Sequence, residues 1–144
     1  MKTLILMRHA QATPYAETDR LRPLTEQGRE KATQSAQQIQ QQGECPQLIV
    51  CSPYVRAQQT ARLVGEVLNL PPKADNMLDG RLSAGGLLNW AQGFFDLYDS
   101  VLLIGHNPNI SLAAALLSGE YISLSAGDFI TFHIKEKETH KEEK

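Results

Sequence analysis

The sequence predicts an α/β fold built on a mostly parallel sheet. Three apolar runs, at residues 4–7, 48–50 and 101–104, have the composition of buried strands. Each run is followed, after a polar segment, by a stretch with helical signals. Strands that alternate with helices form parallel sheets. A chain of 144 residues is long enough for one such domain with its own core and too short for two.

Charge and composition argue against several functional classes. A formal net charge of -2 gives no general attraction to nucleic acid. The first apolar run is shorter than a signal-peptide core or a membrane span and ends at Arg8, so neither export nor a membrane location is expected. Cys45 and Cys51 lack Cys-x-x-Cys spacing, and Cys51 ends an apolar run, which predicts a buried small hydrophobe. We expect a monomer in a reducing cytoplasm.

The first strand is followed by a loop and then by the first helix. Residues 11–24 contain Thr13-Pro14 and Arg22-Pro23, which is typical of a loop, and this loop can fold over the strand end. Thr25 is the predicted N-cap of a helix over residues 26–42, which Gly43 ends. Small and apolar residues recur along this helix with a spacing that suits packing on a sheet. They are Gly28, Ala32, Ala36 and Ile39.

A second strand over residues 47–51 leads into a second helix. Ser52 is predicted as its N-cap and Pro53 as its first helical residue. Arg56 then falls in the first turn, where the helix dipole favours anions rather than cations. This mismatch suggests that Arg56 binds a ligand. The alternative is a solvated surface arginine whose aliphatic stem covers apolar surface.

The remaining elements follow the same alternation. Residues 73–79 can hold a short edge strand, and Ser83 is the predicted cap of a helix rich in leucine and aromatic residues. After the strand at 101–104, Asn109 is the predicted cap of a helix over residues 110–117, which is apolar nearly all round and expected to be buried. Residues 129–134 alternate like a half-buried strand in which His133 is structural, and residues 135–144 form a charged, disordered tail.

Chemically active side chains follow three strands of the predicted sheet. Arg8 and His9 follow the first strand, Arg56 the second, and His106 the strand at 101–104, where the Asn107 backbone at the start of a helix adds N–H donors for a substrate. Ligands bind beyond the carboxyl ends of parallel strands, so these residues are expected to converge. Arginine forks match phosphate oxygens, which predicts a phosphoryl ligand. The chain has no glycine-rich nucleotide-binding motif, and arginines beside both histidines oppose a metal ion.

Three motifs in this order resemble those of the histidine phosphatase superfamily, which has the phosphoglycerate mutase-like fold. They are L-x-x-x-R-H ending at His9, S-P-Y-V-R-A-x-Q-T starting at Ser52, and G-H-N-P starting at Gly105. A fourth stretch, D-x-x-R-P-L-T-x-x-G from Asp19 to Gly28, and the short chain are most similar to the SixA-type phosphohistidine phosphatases. The resemblance covers residues 1–134, which implies one three-layer α/β/α domain.

The resemblance implies a metal-independent phosphatase without a cofactor, acting in signal transduction. His9 would be the nucleophile that forms a transient phosphohistidine, and Arg8, Arg56 and His106 would hold the transferring phosphoryl group. Arg22 would border the substrate entrance. The implied partner is a phosphorylated protein, for example a histidine-containing phosphotransfer domain. Independently of the resemblance, a neutral imidazole is available near pH 7, and His106 is interpreted as a partly charged clamp.

Two departures from the superfamily pattern keep other functions open. The residues after the first histidine include Ala10 and Ala12, where the superfamily has glycine and further phosphate ligands. The glutamate that acts as general acid in mutases and sugar phosphatases has no match, since the nearest positions hold Asp79, Gly80 and Arg81. One alternative is a sugar or small-metabolite phosphatase in which Asp79 supplies the acid. The other is a non-catalytic phosphate-binding scaffold.

Overall fold

A computed structural model describes residues 1–135, in which five strands form one sheet. The strands are β1 (Lys2–Arg8), β2 (Leu48–Cys51), β3 (Lys73–Ala74), β4 (Ser100–Gly105) and β5 (Phe129–Ile134). They lie in the order β3-β2-β4-β1-β5. All neighbouring pairs are parallel except β1 with β5, which is antiparallel. The prediction of a mostly parallel sheet is confirmed.

Four α-helices connect these strands. They are α1 (Glu26–Gln41), α2 (Val55–Leu68), α3 (Ala84–Gln92) and α4 (Asn109–Ser118). Short 3-10 helices lie at Asp19–Leu21, Asn76–Leu78 and Gly93–Asp96. The hydroxyls of Thr25 and Ser83 cap α1 and α3 by accepting the backbone N–H groups of Gly28 and Gly86. Both caps were predicted, because a side-chain oxygen at the N-cap satisfies a backbone donor that the helix leaves free.

The helices cover the sheet on both faces. Alternate residues of each strand point to opposite faces, so Leu6 of β1 packs with the cluster formed by α3 and α4. Its neighbours Ile5 and Met7 pack with the cluster formed by α1 and α2. All three side chains are fully buried. With one cluster on each face of the sheet, the fold has the predicted three-layer α/β/α arrangement. The carboxyl ends of the parallel strands β1, β2 and β4 lie side by side at one edge of the sheet.

The start of α2 differs from the prediction. The helix begins at Val55 with Tyr54 as its N-cap, so neither Ser52 nor Pro53 has its predicted position. The Ser52 hydroxyl instead accepts the Tyr54 N–H at 3.1 Å in a short local turn. Serine offers the backbone this alternative to helix capping wherever the chain turns. The Ser52 side chain is therefore held beside the end of β4.

The helix α4 also departs from the prediction in two respects. Its N-cap is Pro108, and Asn109 is the first helical residue, whose side-chain amide donates to the Leu82 carbonyl. The expected burial is also wrong on one side, since Leu112 and Leu116 are 53% and 61% exposed. Composition alone could not separate these leucines from the buried face, because α4 packs on α3 and on β1 through its other side.

One close approach fixes the loop after β1 against α1. A Cβ atom on Gly28 would lie 2.2 Å from the backbone oxygen of Gln11. That oxygen also accepts the Thr25 N–H at 3.0 Å. The first turn of α1 is thus packed directly on the backbone that follows His9 and Ala10, with no room for a side chain between them.

Cys51 is buried, as expected, and Cys45 is exposed, both as free thiols. His133, on β5, is exposed and pairs with Glu44 at 2.9 Å. The predicted tail lies outside the described residues except for Lys135. Within residues 1–135 there is no helix with the length and apolar character needed to cross a bilayer.

Candidate active site

A pocket of about 640 Å³ lies at the carboxyl ends of the parallel strands. All seven residues that the sequence singled out for function line it. They are Arg8, His9, Arg22, Arg56, Asp79, His106 and Asn107. Residues up to 99 positions apart in the chain therefore meet in one place, as the convergence of parallel strand ends predicts.

His9 stands immediately after β1 with a defined orientation. Its backbone N–H donates to the Gly105 carbonyl at 3.0 Å, which extends the pairing with β4. Its Nδ1 lies 2.7 Å from the carbonyl oxygen of Ala10. A carbonyl can only accept, so this contact requires the proton on Nδ1. The Nε2 atom is then the unprotonated nitrogen, and it accepts a hydrogen bond from Nε of Arg56 at 3.3 Å.

The surroundings of His9 keep its ring neutral. Burial lowers the pKa of His9 to about 4, and the charges of Arg56 and Arg8 act in the same direction. The Ala10 contact opposes them without cancelling the effect. At pH 7 Nε2 therefore carries a lone pair, which can react with an electrophile once the hydrogen bond from Arg56 is released.

Arg56 extends from the first turn of α2 into the pocket, and its side chain is only 8% exposed. One terminal nitrogen donates to the backbone carbonyl of Asp19 at 2.8 Å, and the other donates to the Asp19 carboxylate at 3.2 Å. The guanidinium also lies 4.8 Å from the centroid of the Tyr54 ring. Its unfavourable place at a helix N-terminus is thus offset by partners outside the helix. The alternative of a solvated surface arginine is excluded.

Asp19 and Tyr54 are pocket residues that the sequence analysis missed. The Asp19 carboxylate bridges two arginines, since its other oxygen accepts from Arg22 Nε at 2.9 Å. Partial desolvation raises the pKa of Asp19, but the hydrogen bonds and charges of Arg56 and Arg22 together lower it below its usual range. The acid-to-arginine spacing of three between Asp19 and Arg22 is a weak local signal for this pair. The Arg56 contact depends on the tertiary fold.

His106 stands at the end of β4, with its ring centroid 5.1 Å from that of His9. Its Nε2 lies 2.7 Å from the hydroxyl oxygen of Ser52. Burial lowers the pKa of His106 to about 4, and the positive charge of Arg56 lowers it further. The free protein therefore carries a neutral His106 at pH 7 and not the partly charged ring that the sequence suggested.

Arg8 and Asn107 meet the segment that precedes β5. One terminal nitrogen of Arg8 donates to the Leu124 carbonyl at 3.2 Å, while Nε of Arg8 is buried and has no hydrogen-bond partner within residues 1–135. The Asn107 amide donates to the same carbonyl at 2.9 Å and accepts from Ser111 at 2.6 Å. Arg8 retains donors for a ligand, whereas the Asn107 side chain is engaged in fixing the pocket wall.

Asp79 is a second carboxylate in the pocket wall. One of its oxygens accepts from Nε of Arg81 at 2.7 Å, and the other accepts the Arg81 backbone N–H at 3.1 Å. Both oxygens are therefore engaged by the same residue.

The pocket combines an unprotonated imidazole nitrogen with two arginines that surround it. Such an arrangement suits a tetrahedral oxyanion whose central atom can be attacked by nitrogen. Among the described residues, no group of three His, Cys, Asp or Glu side chains is arranged to hold a metal ion.

Comparison with known proteins identifies the family. The model of the histidine phosphatase superfamily (branch 1) matches residues 4–81. Phosphohistidine phosphatase SixA of Escherichia coli (strain K12) is 32% identical over 123 residues, which are 81% of this chain and 75% of that protein. The chain therefore belongs to the histidine phosphatase superfamily, which includes the hydrolase SixA.

Solved structures agree with this assignment. A structure of the protein histidine phosphatase SixA complexed with tungstate matches with a TM-score of 0.82 at 27% identity, over 90% of this chain and 86% of that chain. A mycobacterial glucosyl-3-phosphoglycerate phosphatase matches with a TM-score of 0.68 at 17% identity, over 91% of this chain and 89% of that chain. The likeness to the mycobacterial enzyme is one of fold alone. The predicted phosphoglycerate mutase-like fold is confirmed.

Proposed function

We propose that this protein removes phosphate from phosphohistidine in another protein, and that His9 is the nucleophile. The observation that carries the proposal is the state of the His9 ring, whose Nδ1 proton is held by Ala10 at 2.7 Å. Its Nε2 lone pair lies in a pocket with two arginines. The relative SixA is a phosphohistidine phosphatase, which supports the same substrate class.

The reaction proceeds in two transfers. In the first, the Nε2 lone pair of His9 attacks phosphorus, and the bond from phosphorus to the substrate imidazole nitrogen breaks. The substrate ring, protonated from solvent on its other nitrogen, keeps the electron pair and leaves as neutral imidazole. In the second, water attacks phosphorus, the bond to Nε2 breaks, and water gives its extra proton to solvent. Inorganic phosphate leaves, and His9 returns to its neutral state with the proton still on Nδ1.

The cations of the pocket stabilise the transferring group. Phosphoryl transfer places negative charge on three equatorial oxygens, and fixed donors aimed at those oxygens lower the barrier. Arg8 supplies its unpartnered Nε, and Arg56 supplies the donors left free by Asp19. The negative charge of the phosphoryl group also favours a protonated His106, which then donates to an oxygen. Arg22 borders the entrance to the pocket.

The proposed preference for a P–N bond over a phosphate ester follows from the hydrogen bonds that Asp79 makes. An alkoxide leaving group needs a proton from the enzyme as it departs, because its conjugate acid is about as weak as water, with a pKa near 15.7. An imidazole leaves more readily, since its conjugate acid has a pKa of about 6.5. Asp79 has both oxygens engaged by Arg81, so the pocket lacks a ready acid for esters and needs none for phosphohistidine.

A second candidate is a phosphatase for sugar or other small-metabolite esters. It is favoured by one observation, the position of Asp79 in the pocket wall. For this function Asp79 must leave Arg81 and take up a proton. Because Arg81 is 81% exposed, its departure into solvent is sterically open, and the two functions need a direct comparison.

The test compares kcat/KM for a phosphohistidine peptide with that for several phosphomonoesters, in the wild type, Asp79→Asn and the exposed control Asp96→Asn. We expect kcat/KM for the peptide to exceed kcat/KM for the esters by about a hundredfold or more. The value for the peptide should be the same in the wild type and in both variants. Ester hydrolysis as fast as peptide hydrolysis, lost selectively in Asp79→Asn, would instead establish the ester phosphatase. Phosphate binding without turnover of either substrate would establish a non-catalytic scaffold.

A further inference from the structure

An exposed apolar stripe runs along α4 from the mouth of the pocket. It consists of Pro108, Leu112 and Leu116, which are spaced four residues apart and therefore share one face of the helix. The Leu112 N–H donates to the Pro108 carbonyl at 2.9 Å, so the stripe is continuous through the first helical turn. Leu112 and Leu116 are 53% and 61% exposed. The stripe extends for about 12 Å, at 1.5 Å per helical residue.

The stripe is continuous with the pocket because Pro108 belongs to both. Pro108 lines the pocket that holds His9 and His106, and it is also the exposed N-cap of α4. A molecule that fills the pocket and extends past Pro108 therefore meets Leu112 next. We propose that the stripe docks the protein substrate, through an apolar surface next to the phosphorylated histidine of that protein.

Charges at the rim of the pocket sharpen the description of the partner. Arg20 is exposed, with its guanidinium 5.1 Å from the centroid of the Tyr54 ring in the pocket wall. The Arg81 side chain is 81% exposed beside Asp79 in the pocket wall. Acidic side chains of a partner would form ion pairs with these two arginines when the phosphohistidine is bound in the pocket. The proposed partner thus presents an apolar surface to α4 and acidic side chains to Arg20 and Arg81.

Other occupants of the stripe fit less well. Residues 136–144 have the sequence EKETHKEEK, which contains no apolar side chain to cover two leucines. A small metabolite held by the pocket would not extend along two turns of α4. A second copy of the chain would place its own surface over Pro108 and obstruct the pocket. A phosphoprotein needs both the pocket and the surface beside it, which is why this inference rests on the proposed function.

The experiment measures kcat and KM separately on two substrates. One is a histidine-containing phosphotransfer domain phosphorylated with potassium phosphoramidate, and the other is free phosphohistidine. The variants are Leu112→Glu, Leu116→Glu and their combination. The matched control is Leu97→Glu, since Leu97 is 83% exposed and precedes β4, at the opposite end of the sheet from the pocket. Exposed substitutions of this kind change folding stability little.

We expect the double variant to raise KM for the phosphoprotein by about tenfold or more, because a buried contact is replaced by charges. Its kcat, its rates on free phosphohistidine and both activities of Leu97→Glu should stay within about twofold of the wild type. An unchanged KM for the phosphoprotein, or an equal loss on both substrates, would overturn the docking surface. The docking surface would also be overturned if light scattering showed a dimer for the wild type and a monomer for the double variant. Failure of the wild type to hydrolyse either substrate would overturn the proposed function itself.

Discussion

The two histidines of the pocket, His9 and His106, share a residue type, a strand-end position and a pKa of about 4, yet their ring nitrogens have different partners. In His9 a backbone carbonyl lies 2.7 Å from Nδ1, which leaves Nε2 without its proton. In His106 the Nε2 atom lies 2.7 Å from the Ser52 hydroxyl, which can donate or accept. His9 therefore has a fixed tautomer, whereas the ring of His106 can accept from Ser52 or donate to it.

This difference shows how one residue type can serve two roles within 5.1 Å. A nucleophile needs a lone pair that is present before the substrate arrives, and a fixed carbonyl partner secures it. A group that stabilises developing charge needs a proton to donate, and a hydroxyl partner permits either state of the ring. The comparison supports the proposed division, attack by His9 and charge stabilisation by His106, which the following predictions test.

The largest effect is expected for His9→Ala. Turnover of a phosphohistidine peptide should fall by about a thousandfold or more, because the substitution removes the proposed nucleophile. The fold should be retained, as judged by circular dichroism and the urea midpoint. The wild type, quenched in alkali during turnover, should show phosphate on His9 by mass spectrometry. Phosphate found on His106 instead would reverse the division.

A smaller loss is expected for His106→Ala. Removal of one preorganised donor from a transition state lowers kcat by about a hundredfold, and the phosphoenzyme on His9 should still form, more slowly. Single-turnover measurements with a quenched-flow instrument separate the two transfers. His133→Ala is the control, since His133 is exposed on β5. Complete loss of phosphoenzyme in His106→Ala would show that the two histidines act as one unit.

Arg56→Lys should reduce kcat/KM by about tenfold or more, despite the retained charge. An ammonium group cannot reproduce the planar fork that contacts His9 and Asp19 together. The matched control is Arg62→Lys, an exposed position on the same helix. Equal rates for wild type and Arg56→Lys would mean that Arg56 serves only to anchor the loop that contains Asp19.

Acidification should destabilise the fold through both histidines. Their pKa values of about 4 lie below the value of 6.5 for an unperturbed ring, so the unfolded chain binds more protons in this range. The histidine contribution is complete above pH 6.5 and is lost as the pH falls toward 4. Urea midpoints should therefore decrease across this window, and the decrease should be shallower in His9→Asn combined with His106→Asn. An identical slope in that double variant would contradict the lowered pKa values.

The smallest effect, no change in turnover, is expected on addition of a chelator. Arg8 and Arg56 supply positive charge beside both histidines and would repel a divalent ion. Rates on the phosphohistidine peptide should be the same with and without EDTA. A loss of activity that zinc or magnesium restores would mean that His9 and His106 act together as metal ligands.

The strand-end residues could be predicted because the sheet itself brings them together. Buried runs before Arg8, His9 and His106 predicted parallel strands, and the carboxyl ends of parallel strands meet. Arg56 could be predicted from its unfavourable place in a helix dipole. In each case a local pattern and a general rule of packing were sufficient, and the structure brings all four residues into one pocket.

Residues whose positions depend on loops could not be predicted in this way. Asp19 reaches Arg56 only because the segment after β1 folds back over the strand ends. Ser52 was assigned to a helix cap because a serine before proline fits a cap as well as it fits a turn. The exposed leucines of α4 were expected to be buried, since a sequence does not state which helix faces lack a partner.

The tight packing at Gly28 has a consequence for mutational tolerance. Any side chain at this position must displace the backbone of Gln11, and Gln11 follows His9, the proposed nucleophile, by two residues. A screen of random variants would thus score Gly28 as essential, although it neither lines the pocket nor titrates. Even alanine, a better helix former than glycine, would be rejected there. An attempt to stabilise α1 by replacing its glycine would instead move His9 out of alignment.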